Sequence, residues 1–273
     1  MPKYVINGHP GDSIPIADRG LQYGDGLFET IKIHQGKPLL WSRHVKRLNE
    51  GCTRLHIPCP DESTLAAEID TLISPEMETA AIKIMITRGS GPRGYRMPDP
   101  QRPTRIIVLY SDTGYSGGNT VAGVRLRICV TPLACNPVLA GLKHLNRLEQ
   151  VLARAEWCDA DIVDGVMKNV HGHVIETTMA NLFIVKNHQL YTPGLNQCGV
   201  AGVMRDKVLE LAKELQLVVS ETVLNESDLF DADEVFITNC LNGIRPVNQI
   251  EKIQFVPGKI TTQLMQQLCL SWR

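Results

Sequence analysis

A chain of 273 residues is long enough for one large domain or two modest ones with a real hydrophobic core. Hydrophobic content of 43% and charged content of 21% are those of an ordinary globular protein. A net charge of −1 leaves no basic field for nucleic acid and no polybasic patch for a membrane surface.

The opening Met1-Pro2-Lys3-Tyr4-Val5-Ile6-Asn7-Gly8 reads as a short strand and turn, not a signal peptide, and no apolar run approaches a membrane span. A strand is expected from Leu27 to Ile33, ending at Gly36. A helix over roughly Ser42 to Leu55 shows Val45, Leu48, Cys52 and Leu55 on one face. A second helix is expected over Leu65 to Leu72, then β-rich runs at Ala80 to Thr87 and Arg105 to Tyr110. Ser111 to Asn119 is polar and glycine-rich, the best linker in the chain. Beyond it come a strand (Val124 to Val130), a hairpin turning at His171-Gly172-His173, and strands at Leu182 to Val185 and Val235 to Ile237. Helices are expected over about Val203 to Leu215 and Thr261 to Leu270. Interleaved elements of this kind predict two α/β domains with the active site between them. The eight cysteines are scattered, without the histidine pairing of a zinc site, so reduced thiols in the cytoplasm and no metal are expected. The His171/His173 pair has no third ligand in view and reads as turn residues.

Lys143 follows Asn136-Pro137-Val138-Leu139-Ala140-Gly141-Leu142, and Leu145, Leu148, Leu152 and Ala155 recur after it at helical spacing. This predicts a helix beginning at about Leu142, with Lys143 in or beside its first turn. The positive end of that helix and Arg147 would both ease deprotonation of the amine, which suits Schiff-base chemistry. A solvated lysine at a helix start fits the same pattern.

The segment Gly141-Leu142-Lys143-His144-Leu145-Asn146-Arg147-Leu148-Glu149-Gln150-Val151 resembles the lysine segment of the aminodeoxychorismate lyases. Those belong to the fold-type IV pyridoxal-phosphate (PLP) enzymes, with the branched-chain and D-amino-acid aminotransferases. The resemblance runs nearly end to end. It includes Asp18-Arg19-Gly20-Leu21-Gln22-Tyr23-Gly24-Asp25-Gly26-Leu27-Phe28-Glu29-Thr30, Arg43-His44-Val45-Lys46-Arg47-Leu48, Glu176-Thr177-Thr178-Met179-Ala180-Asn181-Leu182-Phe183 and Gly199-Val200-Ala201-Gly202-Val203-Met204-Arg205. It implies an α/β (α+β) architecture of a smaller N-terminal α/β domain (1–112), a linker (113–119) and a larger, β-barrel-like C-terminal PLP-binding domain (120–273). It also implies a homodimer acting on a small molecule.

The resemblance assigns Lys143 to the cofactor aldehyde and Glu176 to the pyridine nitrogen, where the residues alone would also allow an exposed strand carboxylate. It assigns Arg47 to the phosphate, with the backbone amides of Val203 and Met204 at a glycine turn that starts a helix. Arg43 and Lys46 read as solvated. A last phosphate contact falls at Asn239-Cys240, where some aminotransferases carry threonine and a thiol donates only weakly. Asn146 is a candidate for the cofactor's phenolic oxygen. Phe28, Arg88, Arg93 and Tyr95 are candidate substrate contacts, the last three on a glycine-rich loop expected to be mobile or merely solvent-exposed. Two chemistries remain open. The lyase converts 4-amino-4-deoxychorismate to 4-aminobenzoate and pyruvate, with Lys143 as general base; a D-amino-acid or branched-chain aminotransferase is the alternative. The likeness of Lys143-His144-Leu145-Asn146-Arg147 and of Thr87 to Tyr95 to the lyases favours the first. A protein binding PLP or an aromatic metabolite without turnover would be expected to lose Lys143 or Glu176.

Overall fold

The computed structural model describes residues 3–111 and 123–271. The chain divides into two compact units, one of Met1–Ser116 with Lys143–Asn146, the other of Gly117–Leu142 with Arg147–Arg273. The expected linker at 113–119 lies outside the described residues.

The first unit contains β1 (Lys3–Ile6), β2 (His9–Pro10), α1 (Arg19–Tyr23), β3 (Gly26–His34), β4 (Lys37–Pro38), α2 (Trp41–Leu55), α3 (Glu62–Asp70), β5 (Thr79–Thr87) and β6 (Thr104–Tyr110). Its sheet has the order β2-β1-β6-β5-β3-β4, antiparallel throughout. Strand alternation sorts β3 into two faces. Leu27, Glu29, Ile31 and Ile33 are buried on the side that takes α2, whereas Phe28, Thr30 and Lys32 are only partly covered. Helix α2 meets that sheet through Val45, Leu48 and Cys52, and its Gly51 lets Leu27 approach closely. This is the face expected from its periodicity.

The second unit contains β7 (Val124–Ile128), α4 (Leu148–Arg154), β8 (Ile162–Lys168), β9 (Val174–Thr177), β10 (Asn181–Lys186), β11 (Gln189–Pro193), α5 (Val203–Glu214), β12 (Val219–Thr222), α6 (Glu226–Phe230), β13 (Glu234–Asn239), β14 (Gly243–Ile250), β15 (Ile253–Gln254) and α7 (Lys259–Ser271). The sheet runs β12-β11-β10-β13-β14-β7-β8-β9, and β9 also pairs with β10. That last pairing closes β10-β13-β14-β7-β8-β9 into a barrel, which removes the exposed edges an open sheet would carry. Val124, Leu126, Val166, Leu182, Ile184, Val235, Ile237 and Val247 form its main apolar cluster. On the other face of β10 and β13, Phe183 and Phe236 stack with ring centroids 4.9 Å apart. Among the described residues no helix is long and apolar enough to cross a membrane.

One expectation fails. The helix after Gly141 does not begin at Leu142; it begins at Leu148, with Arg147 as its N-cap. Lys143 to Leu145 are instead drawn into the first unit's sheet, a tertiary pairing that overrides local helical periodicity. Leu148 and Leu152, which recur at helical spacing, are 75% and 60% exposed on this chain, and Ala153 is the buried residue of α4.

Candidate functional site

In the first unit the site grows from the edge of β3. Strand β4 pairs only with Ile33 and His34, so the beginning of β3 has a free edge opposite β5. Lys143 to Leu145 fill it. Phe28 N donates to Lys143 O at 2.9 Å, Leu145 N donates to Gly26 O at 3.0 Å, and His144 bridges Leu27. This antiparallel register sets Lys143 beside Phe28. Its Nζ lies 4.2 Å from the Phe28 ring centroid, within cation–π range. Asn146 then turns back, its Nδ2 donating to Gly24 O at 3.2 Å, and Gly24 (φ +64°) has no room there for a side chain.

A second lysine faces the same ring. Lys83 on β5 is the register partner of Thr30, and its Nζ lies 5.0 Å from the Phe28 centroid. Burial pushes its ammonium below the usual lysine range.

Beneath this face lies Glu29, 1% exposed. Arg47 Nε donates to Glu29 Oε1 at 2.8 Å and Arg47 Nη2 pairs with Oε2, while His44 Nδ1 lies 2.6 Å from Oε2. Burial alone would raise this carboxyl, but Arg47, helped by His44, brings it down to about 2. Arg47, expected at a phosphate, is therefore oriented by a buried carboxylate on the neighbouring strand. Lys46 is exposed as expected, and Arg43 is half-buried.

The Asp18-to-Asp25 segment turns out to be scaffold. Asp18 caps α1 through Gly20 N (2.8 Å) and accepts from Thr87 Oγ1 (3.0 Å) and Thr104 Oγ1 (2.7 Å). Asp25 receives Arg19 Nε (2.9 Å) and, bidentately, Arg88 Nε (2.8 Å) and Nη2 (2.9 Å). Burial opposes this carboxylate's charge, yet the bonds from Arg88 and Arg19 outweigh it and hold its pKa below the ordinary value. Arg88 also donates to the carbonyls of Leu55 and His56 and to Gln101 Oε1. All five of its donor hydrogens are engaged within the protein and the residue is 3% exposed. In this structure Arg88, expected at the substrate, is an anchor between Asp25, Gln101 and the end of α2. Arg93 and Tyr95 are exposed. The loop carrying them is held by Arg19, which donates to the carbonyls of Gly94 (2.9 Å), Tyr95 (3.4 Å) and Arg96 (3.5 Å), and Tyr95 packs on Tyr23.

The second unit holds the remaining candidates. Glu176 on β9 is 5% exposed, in register with Met167 and Asn181, and its Oε2 accepts from Val200 N at 2.8 Å. A buried carboxylate needs such partners. Asp164 braces the residues that follow, accepting from Thr177 Oγ1 (2.6 Å), Thr178 Oγ1 (2.5 Å) and Thr178 N (3.1 Å). Burial nonetheless raises its pKa. The turn Gly199-Val200-Ala201-Gly202 is fixed from three sides. Gly141 N donates to Gly199 O (2.9 Å), Ala201 N donates to Gly141 O (3.0 Å), and Asn181 Nδ2 donates to Val200 O (2.8 Å). Gly199 sits at φ +84°. Gly202 is the N-cap of α5, and no side chain caps that helix among the described residues. The amides of Val203 and Met204 thus begin a twelve-residue helix with its positive end open to an anion. At the end of β13, Asn239 Oδ1 accepts from Leu241 N (3.1 Å) and Asn242 N (2.9 Å), leaving half-buried Cys240 at the tip of that turn.

Glu29, Lys83 and Asp164 were not singled out from the sequence. Alternation along Leu27 to Ile33 places Glu29 on the apolar face, a charge that demands a partner, so that signal was available. Nothing in the sequence marks Lys83.

The family model described as amino-transferase class IV matches residues 26–250. The chain is 44% identical over 271 residues to the aminodeoxychorismate lyase of Vibrio harveyi, covering 97% of this chain and 99% of that protein. It is 26% identical over 265 residues to a D-alanine aminotransferase of Listeria innocua serovar 6a, covering 92% and 88%. The structure matches the crystal structure of 4-amino-4-deoxychorismate lyase from Pseudomonas aeruginosa with a TM-score of 0.92 and 43% identity, over 97% of each chain.

Proposed function

Because the chain belongs to the class IV aminotransferase family, we propose that it is a PLP-dependent lyase converting 4-amino-4-deoxychorismate to 4-aminobenzoate and pyruvate. The observation that carries this reading is the likeness to the lyases over nearly the whole chain, well above that to the aminotransferase.

The residues fit the cofactor. The glycine turn and the open start of α5 suit a phosphate, with the amides of Val203 and Met204 as donors. Arg47, already oriented by Glu29, adds a guanidinium fork to that dianion. Asn239 and Cys240 lie on a turn that offers further polar groups, and Asn146 is the candidate for the phenolic oxygen. Glu176 would face the pyridine nitrogen and favour its protonated form. Bound PLP supplies an electron sink for the substrate carbon that carries the amine. Lys143 is the residue that would hold the cofactor through its aldehyde, and its amine would take the proton from that carbon. Phe28 orients the lysine through its ring, and Arg93 and Tyr95 are the loop groups left to meet the substrate. Loss of the enolpyruvyl group is drawn forward by aromatisation of the product.

Relatives by resemblance are homodimers, and we propose the same here; the exposed Leu148, Val151 and Leu152 of α4 support it. Eight cysteines, none in a disulfide, support a reducing compartment, the cytoplasm.

The test is 4-aminobenzoate formation from freshly generated aminodeoxychorismate by PLP-loaded protein, with equal pyruvate. Product with wild type and none with Lys143→Ala, which should also lose the cofactor's absorbance band, is the expected result. No product from protein that retains the band would favour an aminotransferase, to be tried with D-alanine or branched-chain amino acids and 2-oxoglutarate.

A further inference from the structure

Val200 is held by both of its main-chain polar groups. Glu176 Oε2 accepts from its N–H at 2.8 Å, and Asn181 Nδ2 donates to its carbonyl at 2.8 Å. Glu176 and Asn181 are register partners across the turn that joins β9 to β10. The acid assigned to the pyridine nitrogen and the glycine turn assigned to the phosphate are therefore joined through one residue. Whatever sets the turn at 177–180 sets both.

Asp164 braces that turn. It stands on β8, 2% exposed, on the face of the strand that carries Val166 into the main apolar cluster. A carboxylate at such a place costs more than an apolar side chain unless donors meet it. Oδ2 accepts from Thr177 Oγ1 at 2.6 Å. Oδ1 accepts from Thr178 Oγ1 at 2.5 Å, Thr178 N at 3.1 Å and Gly165 N at 2.8 Å. Thr177 Oγ1 accepts in turn from Ala180 N at 2.9 Å, and Thr177 N donates to Ala180 O at 2.7 Å. The carboxylate thus grips the two residues that follow Glu176, and through Thr177 it reaches the residue that precedes Asn181. A network of this kind fixes one geometry, because each member depends on the others.

We propose that Asp164 is a positioning residue for the cofactor: through Thr177 and Thr178 it holds Glu176 and Asn181 on Val200, so that the pyridine acid and the phosphate turn are set together. This rests on the assignments above, with Glu176 at the pyridine nitrogen and the phosphate on the glycine turn. Without the brace the turn at 177–180 gains freedom, and Glu176 and Asn181 lose their common frame. A single change on β8 then weakens the hold on both ends of the cofactor.

The test titrates cofactor-free protein with PLP, with pyridoxal (which lacks the phosphate) and with inorganic phosphate in competition with PLP. It compares wild type with Asp164→Asn, Thr177→Val, Thr177→Ser and Glu176→Gln, and follows the pH midpoint of the bound cofactor's absorbance. Asp164→Asn and Thr177→Val are expected to weaken PLP by roughly tenfold or more, the scale of one lost hydrogen bond to a charged group. Both should also weaken pyridoxal and phosphate taken alone, and displace the pH midpoint in the direction given by Glu176→Gln. Thr177→Ser keeps the hydroxyl and should stay within about twofold of wild type. If Asp164→Asn does not fold, the nearly isosteric Thr177→Val carries the test. Weakening of one probe only, or lower unfolding stability with wild-type affinities and pH midpoint, overturns the proposal. Insensitivity of Glu176→Gln as well would remove the assignment of Glu176, and the proposal with it. None of these readouts needs 4-aminobenzoate to form, so a failure of the lyase reading is seen separately.

Discussion

Glu29 grips one edge of the Arg47 guanidinium, Oε1 accepting from Nε at 2.8 Å and Oε2 pairing with Nη2, with His44 closing on Oε2. The folded carboxyl titrates at about 2 against an ordinary 4.5. A depressed carboxyl contributes stability that is fully present above pH 4.5 and is lost as pH falls from there through about 2. The shift corresponds to roughly 3 kcal/mol for a buried group. Glu29→Gln should therefore lower the unfolding free energy at pH 7 by about that amount and flatten the acid limb below pH 4.5. Urea unfolding at a series of pH values reads both effects. A variant with the wild-type acid limb would show that Glu29 is not the group that titrates.

Arg88 makes a contrasting case, because its position in the sequence and its place in the structure give opposite expectations. With its donors committed to Asp25, Gln101 and the carbonyls that close α2, its replacement should act on folding, not on substrate. Arg88→Lys keeps the charge but loses the planar fork. We expect a loss of about 2 kcal/mol or more in urea unfolding, with KM of the folded enzyme within about twofold of wild type. A KM raised tenfold at unchanged stability would return Arg88 to the substrate site.

The difference between what was legible and what was not follows from range. Helix α2 and strands β3 and β5 were readable because burial of one face writes a local period into the sequence. The glycine turn before α5 was readable because backbone geometry at Gly199 restricts the residue type. Lys143 was legible as a special residue only through resemblance, and its local structure was misread. The periodicity of Leu145, Leu148 and Leu152 looked helical, yet Leu145 pairs with Gly26, more than a hundred residues away. Long-range pairing of that kind leaves no local mark. The same holds for Lys83, whose contact with the Phe28 ring comes from the adjacent strand.

The glycine turn yields a prediction independent of turnover. A methyl group on Gly202 would drive into the Asn181 carboxamide oxygen, whose amide nitrogen holds Val200 O at 2.8 Å. Gly202→Ala must therefore displace Asn181 or the turn, and with it the amides of Val203 and Met204. PLP affinity, followed by the cofactor's absorbance on titration, should weaken by roughly tenfold or more, the scale of one lost charged hydrogen bond. Far-ultraviolet circular dichroism should stay that of the wild type. Unchanged PLP affinity would mean that the phosphate does not rest on this turn.

Helix α4 carries the last prediction. Leu148, Val151 and Leu152 stand at i, i+3 and i+4, so they form one stripe, while Ala153 anchors the opposite side in the cluster with Trp157 and Met167. These three are 75%, 60% and 60% exposed on this chain. A stripe of this size on a short helix is costly to leave in water and suits a two-fold interface with a second copy. In such an interface each side chain counts twice, so losing about 2 kcal/mol per buried leucine would weaken the dimer roughly a thousandfold. Leu148→Glu should accordingly sediment as a monomer at concentrations where wild type is a dimer, with unfolding unchanged once the effect of dissociation is allowed for. A variant that remains dimeric would place the interface elsewhere, and a monomeric wild type would remove the dimer altogether.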